Sequence, residues 1–255
     1  MSLAGKRLPY RVAALVSRFG YRAVRRLMLL SVTHLIDLDC EVARARIGDA
    51  LSSENASANR RGSFRGPIPE AEYRFLSAEE VRLLAADGAY DLPGEMADRL
   101  LGDYDFCYAA IVDGNVVSYS WFAIDSIEET HNSNGDLRSG VAMSFGSDVG
   151  YRYKGFTLVE ARGQGFNQQV TLRGAVALAD RVGVRRIITT IDWTNFAALR
   201  SCYASGHRFL GRIWRFGWGE NNVYTIWPHI PSLNVQFDHQ AVVSRRREPA
   251  PLVVA

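Results

Sequence analysis

Residues 156 to 206 constrain this chain most. The apolar stretch Phe156-Thr157-Leu158-Val159 runs through Glu160-Ala161 into Arg162-Gly163-Gln164-Gly165, and a helical run opens at Phe166 and Asn167. The β-branched stretch Ile187-Ile188-Thr189-Thr190-Ile191 then predicts a buried strand, and Asn195 to Ser205 predicts a helix just after it. A strand that ends in Arg-Gly-x-Gly and opens a helix turns several unpaired backbone N–H groups and a helix N-terminus toward one spot. That arrangement suits a phosphate. Taken alone, such a turn is equally a tight bend with no ligand. The dinucleotide-binding spacing G-x-G-x-x-G is absent, because Gln168 stands where its third glycine would be, and no Gly-Lys-Ser/Thr follows as a P-loop would need.

The 255 residues allow one domain of ordinary to large size plus extensions. With 47% hydrophobic and 22% charged residues the composition is that of a soluble globular protein, and no apolar run reaches the roughly 18 residues that span a bilayer. Cys40, Cys107 and Cys202 are widely spaced and form no C-x-x-C. That suggests neither a disulfide framework nor a zinc site, and a reducing cytoplasm is the natural reading. His34, His131, His207, His229 and His239 have no metal-ligand spacing and read as surface or packing residues, so no metal is expected.

Charge is distributed unevenly. Residues 1 to 36 carry Lys6, Arg7, Arg11, Arg18, Arg22, Arg25 and Arg26 and no acid, so with an overall charge of +3 the remainder is net acidic. An acidic body argues against nucleic acid as a partner. From Tyr10 to Leu30 the apolar residues Val12, Leu15, Val16, Phe19, Ala23, Leu27 and Leu30 recur at helical spacing beside an arginine stripe. This basic amphipathic leader, residues 1–35, can pack on the main domain, lie on an anionic membrane face through residues 1–30, or serve as a cleaved targeting segment.

Residues 36–72 read as a short strand, Leu35 to Leu38, followed by a Ser/Asn/Arg/Gly/Pro-rich linker from Gly48 to Pro69. The compact domain is expected over 73–229. It begins with a strand at Tyr73-Arg74-Phe75-Leu76 and a helix announced by the capping box Ser77-Ala78-Glu79-Glu80. A second helix is expected from Gly94 to Leu101. Phe106 to Val112 and Val116 to Ile124 flank Asp113-Gly114-Asn115, a hairpin turn signal. A polar loop spans 128 to 140, strands follow at 141–145 and 149–159, and Phe209 to Phe216 with Val223 to Trp227 form a last hairpin. Residues 230–255 read as a disordered tail.

The succession of strand, two helices, three antiparallel strands, glycine turn, helix, strand, helix and final strand pair resembles the GNAT superfamily of N-acetyltransferases. The family pattern R/Q-x-x-G-x-G/A is met by Arg162 and Gly165, while Asn167 stands where a small residue is usual. The resemblance implies an α/β (α+β) fold: a mixed, mostly antiparallel sheet with a splayed central strand pair, flanked by helices, with the basic helix in front. It further implies an acyl-CoA, most simply acetyl-CoA. Pantetheine would lie between the strand ending at Phe156-Thr157-Leu158 and the strand 187–191. The pyrophosphate would sit on Arg162, Gly163, Gln164, Gly165, Phe166 and Asn167, with Asn195 and Ala198 from the last helix facing the same ligand.

In the family a tyrosine seven residues after the helix-opening asparagine protonates the leaving thiolate. Here that position is Cys202, and Tyr203 lies one step, about 100°, further round the helix. Both are candidates for the acid, each with a plain packing alternative. The acceptor amine must shed a proton before attack. Asp148, Glu128 and Glu129 are candidate bases, and Tyr119, Trp121, Tyr151 and Tyr153 are candidate pocket walls.

The expected activity is N-acyl transfer from acyl-CoA to an amine of a small molecule or cell-envelope sugar precursor, by direct attack in a ternary complex. The alternatives are a catalytically silent acyl-CoA-binding module docked to a membrane or partner, and an acyltransferase that uses acyl-carrier protein. The expected location is the cytoplasm, with peripheral contact at the inner membrane face through the leader. Oligomeric state, a homodimer included, is left open.

Overall fold

The computed structural model describes residues 20, 29–52, 70–102, 104–131, 140–218, 222–228, 230 and 235–238. Apart from Gly20, the amphipathic leader before Leu29 lies outside the described residues, as do the linker from 53 to 69 and the tail beyond 238. Among the described residues no helix is long and apolar enough to cross a membrane.

Eight strands form one sheet. In chain order they are β1 (Leu29–Asp39), β2 (Glu72–Phe75), β3 (Asp105–Val112), β4 (Asn115–Ile124), β7 (Val149–Thr157), β8 (Arg186–Asp192), β9 (Arg208–Trp218) and β10 (Asn222–Ile226). Their spatial order is β10-β9-β1-β8-β7-β4-β3-β2. Every neighbouring pair is antiparallel except β7 with β8. β5 (Ser126–Ile127), β6 (Ala142–Phe145) and β11 (Val235–Asp238) form a second, small sheet in the order β11-β6-β5. This is the mixed, mostly antiparallel, helix-flanked sheet expected of a GNAT-like fold.

Local chemistry explains most of the elements. Asp113 and Gly114, at φ 50° and 79°, make the tight turn between β3 and β4. Ser77 caps α2 (Ala78–Ala86): its side chain accepts from the Glu80 N–H while the Glu80 carboxylate accepts from the Ser77 N–H at 2.8 Å. The second helix, expected from 94 to 101, is shorter: α3 (Met96–Arg99) followed by a 3-10 turn over Leu100–Gly102.

Two boundaries drawn from sequence are corrected. β1 is an eleven-residue strand at the centre of the sheet, paired with β8 on one side and β9 on the other, so the folded unit includes residues well before 73. Its Val32, Leu35, Ile36 and Leu38 are all buried, Leu35 on one face and Ile36 and Leu38 on the other, which is the burial of a central strand. Fully buried Asp37 accepts from the guanidinium groups of Arg186 on β8 and, at 3.0 Å, Arg208 at the start of β9. The Asp39 carboxylate then accepts from the Glu41 N–H at 2.9 Å and opens α1 (Cys40–Ser52) where linker was expected. At the other end, residues 235–238 of the expected tail pair with β6.

Two layers of helices enclose the sheet. α2 and α3 supply Val81, Met96 and Ala97 to a core with Leu35, Cys107, Trp121, Tyr151 and Ile188. On the opposite face, α1 and α4 (Phe166–Val182) pack on Phe106, Phe122 and Ile187, and α5 (Phe196–Ala204) packs on Ile36 and Ile191. Burial of such apolar area is worth roughly 25 cal/mol per Å².

Candidate active site

β7 and β8 are joined only at their beginnings, where Val149, Gly150 and Tyr151 pair with Arg186, Ile187 and Ile188. Beyond Tyr151, β7 pairs with β4 alone, and beyond Ile188, β8 pairs with β1 alone. Past this point, on its β4 edge, β7 carries a bulge: Lys154 and Gly155 together oppose the single residue Ser120, and Lys154 takes φ 35°. The Tyr151 hydroxyl meets Thr190 Oγ1 at 2.5 Å across the point of divergence.

The opening is a cleft of about 1050 Å³. One end is the glycine turn. After a 3-10 turn at Val159–Ala161, Gly163 and Gly165 adopt φ 79° and 92°, in the left-handed region, and Gly165 precedes α4 without any side-chain cap. Among the described residues, the N–H groups of Gly163, Gln164, Gly165, Phe166 and Asn167 donate to no protein acceptor; the next two, of Gln168 and Gln169, bond to the Gly165 carbonyl. These five consecutive N–H groups stand at the positive end of a seventeen-residue helix, where a negative charge is favoured.

Beneath this turn lies a charge that the sequence did not mark as functional. Arg152 is buried on the α4 side of β7. It donates from Nε to Ser120 Oγ at 3.0 Å and from Nη2 to Asn167 Oδ1 at 2.9 Å. No carboxylate pairs with it among the described residues, and burial works against its charged form. Gly155 leaves room for this pair: a Cβ on it would come within 2.7 Å of Arg152 Nη2 and 3.3 Å of Asn167 Oδ1, so that the guanidinium would have to shift. Asn167, the departure from the family pattern, thus ties the first turn of α4 to the buried cation.

Most residues expected to hold the coenzyme line the cleft: Phe156, Thr157, Arg162, Gly163, Gly165, Phe166, Asn167, Asn195 and Ala198. Two side chains point elsewhere. Leu158 packs into the core beneath α4, and the Gln164 amide donates to the Glu160 carbonyl at 2.9 Å. Arg162 folds back and donates from Nε to the Thr157 carbonyl at 3.1 Å. Asn195 caps α5, its Oδ1 accepting from the Ala198 N–H at 3.1 Å.

The expected catalytic residues separate. Cys202 is buried and lines the cleft; burial raises its thiol pKa, and Arg152 opposes the shift. Tyr203 is 41% exposed and turned away, with its hydroxyl 3.4 Å from His34 Nδ1 outside the cleft. The one-residue step from Cys202 carries it round the helix. Asp148 stands at the joined end of the strand pair, where its carbonyl accepts from the N–H groups of Arg185 and Arg186 at 2.7 and 3.1 Å. It is therefore at the wrong end of β7 to serve as a base. Tyr119 and Trp121 are fully buried core residues rather than pocket walls, whereas Tyr151 and Tyr153 do line the cleft.

The cleft is also lined by Asp91, Glu95, Met96, His131, Tyr153 and Lys154. Buried Asp105 accepts from the Tyr153 hydroxyl at 2.6 Å and pairs with Arg99 at 2.8 Å. Burial raises the Asp105 pKa against the pull of Arg99, and burial with Asp105 pushes the Tyr153 phenol well above its ordinary value. Glu128 stands 3.8 Å from His131, and Lys154 stands 3.3 Å from Asp91.

No family model matches the chain, and no curated protein matches it. Solved structures do resemble it. A GNAT-family protein from Novosphingobium aromaticivorans is 14% identical, with 76% of this chain and 67% of that one covered and a TM-score of 0.41. A GCN5-related N-acetyltransferase-like protein from Streptococcus suis is 11% identical over 78% and 67%, with a TM-score of 0.46. An acetyltransferase from the GNAT family from Colwellia psychrerythraea is 12% identical over 78% and 62%, with a TM-score of 0.42. The chain therefore spans about two thirds of their length or less, and similarity at this level assigns no residue a role.

Proposed function

We propose that this chain is an N-acyltransferase that takes an acyl group, most simply acetyl, from acyl-CoA and delivers it to an amine on a small molecule or sugar precursor. One observation carries the proposal: five unpartnered N–H groups at the start of α4 stand at the mouth of a gap between two diverging parallel strands. The residues fit the coenzyme chemically. A diphosphate needs several donors; the unpartnered N–H groups of Gly163 to Asn167 support this reading, with the guanidinium of Arg152 hydrogen-bonded to Asn167 beside them. An extended amide-bearing arm needs strand edges without a neighbour, which β7 beyond Tyr151 and β8 beyond Ile188 provide.

Acyl-CoA brings an activated thioester, and the protein's part is to position and to desolvate. The strands flanking the gap would hold the thioester arm, and Tyr153, His131 and Lys154 of the cleft lining would face the incoming amine. Backbone N–H groups on the β7 edge are the donors available to a carbonyl oxygen as it gains charge. The buried cation of Arg152 favours negative charge in the cleft, which includes a departing thiolate.

Calorimetric titration with acetyl-CoA, followed by thiol release across a panel of alkylamines, amino acids and hexosamines, tests the proposal. Saturable binding with amine-dependent thiol release is expected. Absence of binding at millimolar ligand overturns it. Cys202 in place of the family's tyrosine favours a second reading, a catalytically silent acyl-CoA-binding module. Binding without turnover on any amine supports that reading instead.

A further inference from the structure

We infer that His131 is the catalytic base that takes the proton from the incoming ammonium group. The inference rests on the proposed amine acylation. His131 ends the short 3-10 turn Glu129–His131, and its ring faces that of Tyr153 at 6.3 Å between centroids, in the lining of the cleft. Its side chain is 22% exposed, so it is open enough to meet a ligand and enclosed enough to be held in place.

Glu95 also lines this part of the cleft with an exposed carboxylate; the remaining titratable groups there are committed. The Tyr153 hydroxyl donates to Asp105, whose second oxygen is taken by Arg99. Asp91 pairs with Lys154. Further along the cleft, Asp192 accepts from the Thr194 N–H and hydroxyl at 2.8 and 2.6 Å. Of the other described imidazoles, His34 meets Tyr203 outside the cleft, and His207 is buried against the Cys202 carbonyl.

The surroundings of His131 set its protonation state. Partial burial and then Arg99 lower its pKa below the ordinary imidazole value, with Lys154 acting in the same sense and Glu128 and Glu95 opposing. At neutral pH it is an unprotonated acceptor. Its Nε2 lies 3.8 Å from the half-exposed Glu128 carboxylate, a route by which the proton reaches solvent.

The protons balance as follows. The acceptor R–NH3+ gives one proton to His131, and the free amine attacks the thioester carbonyl. The carbon–sulfur bond breaks as the amide forms. The second amine proton leaves with the sulfur as the thiol, and His131 returns its own proton to solvent through Glu128.

The test compares wild type with His131→Gln, using acetyl-CoA and the primary amine of the panel that gives the fastest thiol release. Wild-type kcat/KM is expected to be level above the histidine pKa and to fall below it. The variant is expected to lose about 100-fold or more at neutral pH and to climb tenfold per pH unit toward the pKa of the free amine. Hydroxylamine, which is already unprotonated at neutral pH, is expected to react with both proteins at rates within about threefold. Acetyl-CoA affinity by calorimetry is expected to be unchanged, which separates loss of a base from loss of the fold or of coenzyme binding. An unchanged pH profile in a variant that binds and turns over overturns this assignment and leaves the acyltransferase proposal standing. Absence of turnover by wild type overturns both.

Discussion

Arg152 Nη2 and Asn167 Oδ1 are 2.9 Å apart, so a buried strand cation is tethered to the first turn of the helix that opens at the glycine bend. The two positive features, a guanidinium and a helix N-terminus, face the same space, and no described carboxylate offsets them. Such a charge costs free energy until an anion arrives.

Arg152→Met is expected to separate stability from binding. Removing an uncompensated buried cation leaves the unliganded melting temperature unchanged or raised. Acetyl-CoA affinity falls by about tenfold to a hundredfold, the range for a lost charge-assisted interaction. Thermal melts and calorimetry on one preparation check both. A lower melting temperature with unchanged affinity would assign Arg152 to packing alone.

Gly165→Ala addresses the bend. At φ 92° an alanine is strained by roughly 1–2 kcal/mol, and relief of that strain swings the free N–H groups out of line. Weaker coenzyme binding together with a modest loss in denaturant midpoint is the expected result. Gly88, which has open space around it, is a control site for the same substitution.

The three side chains first considered for proton transfer are expected to be dispensable. Cys202→Ala costs about 1 kcal/mol of packing and keeps kcat within about threefold, whereas loss of a working general acid costs about 100-fold or more. Tyr203→Phe and Asp148→Asn alter no group that lines the cleft, and steady-state kinetics should not distinguish either from wild type.

His207 governs acid stability. It is buried with Nδ1 on the Cys202 carbonyl, and burial followed by Arg152 lowers its pKa from 6.5 to about 4. Between those values the unfolded chain binds a proton that the folded chain refuses. The stability present above pH 6.5 is therefore lost as pH falls through this window, by about 3 kcal/mol in all. Denaturant unfolding from pH 7 to 4 should show this slope, and His207→Gln should flatten it.

Much of the site was legible because its signals are short-range. The Ser77–Glu80 capping box, the Asp113-Gly114 turn and the Arg-Gly-x-Gly bend each depend on neighbours within a few residues. Arg152 was not legible, since an arginine in a strand reads as solvent-facing until Ser120 and Asn167 are brought round it by pairing and helix docking. His131 escaped for the same reason: its neighbours Tyr153, Arg99 and Glu95 come from two other segments, β7 and α3 with its cap. Leu35 to Leu38 was recognised as strand, but its place between β8 and β9 is a long-range fact with no local trace.

That place bears on how the protein is made. Beyond Ile188, the β8 wall of the cleft is held laterally by β1 alone, and the Asp37–Arg186 contact joining them spans 149 residues of chain. A ribosome adding about 5–20 residues per second leaves that apolar segment waiting on the order of ten seconds for its partners. That wall of the cleft is therefore completed only when β8 meets a strand made some 149 residues earlier.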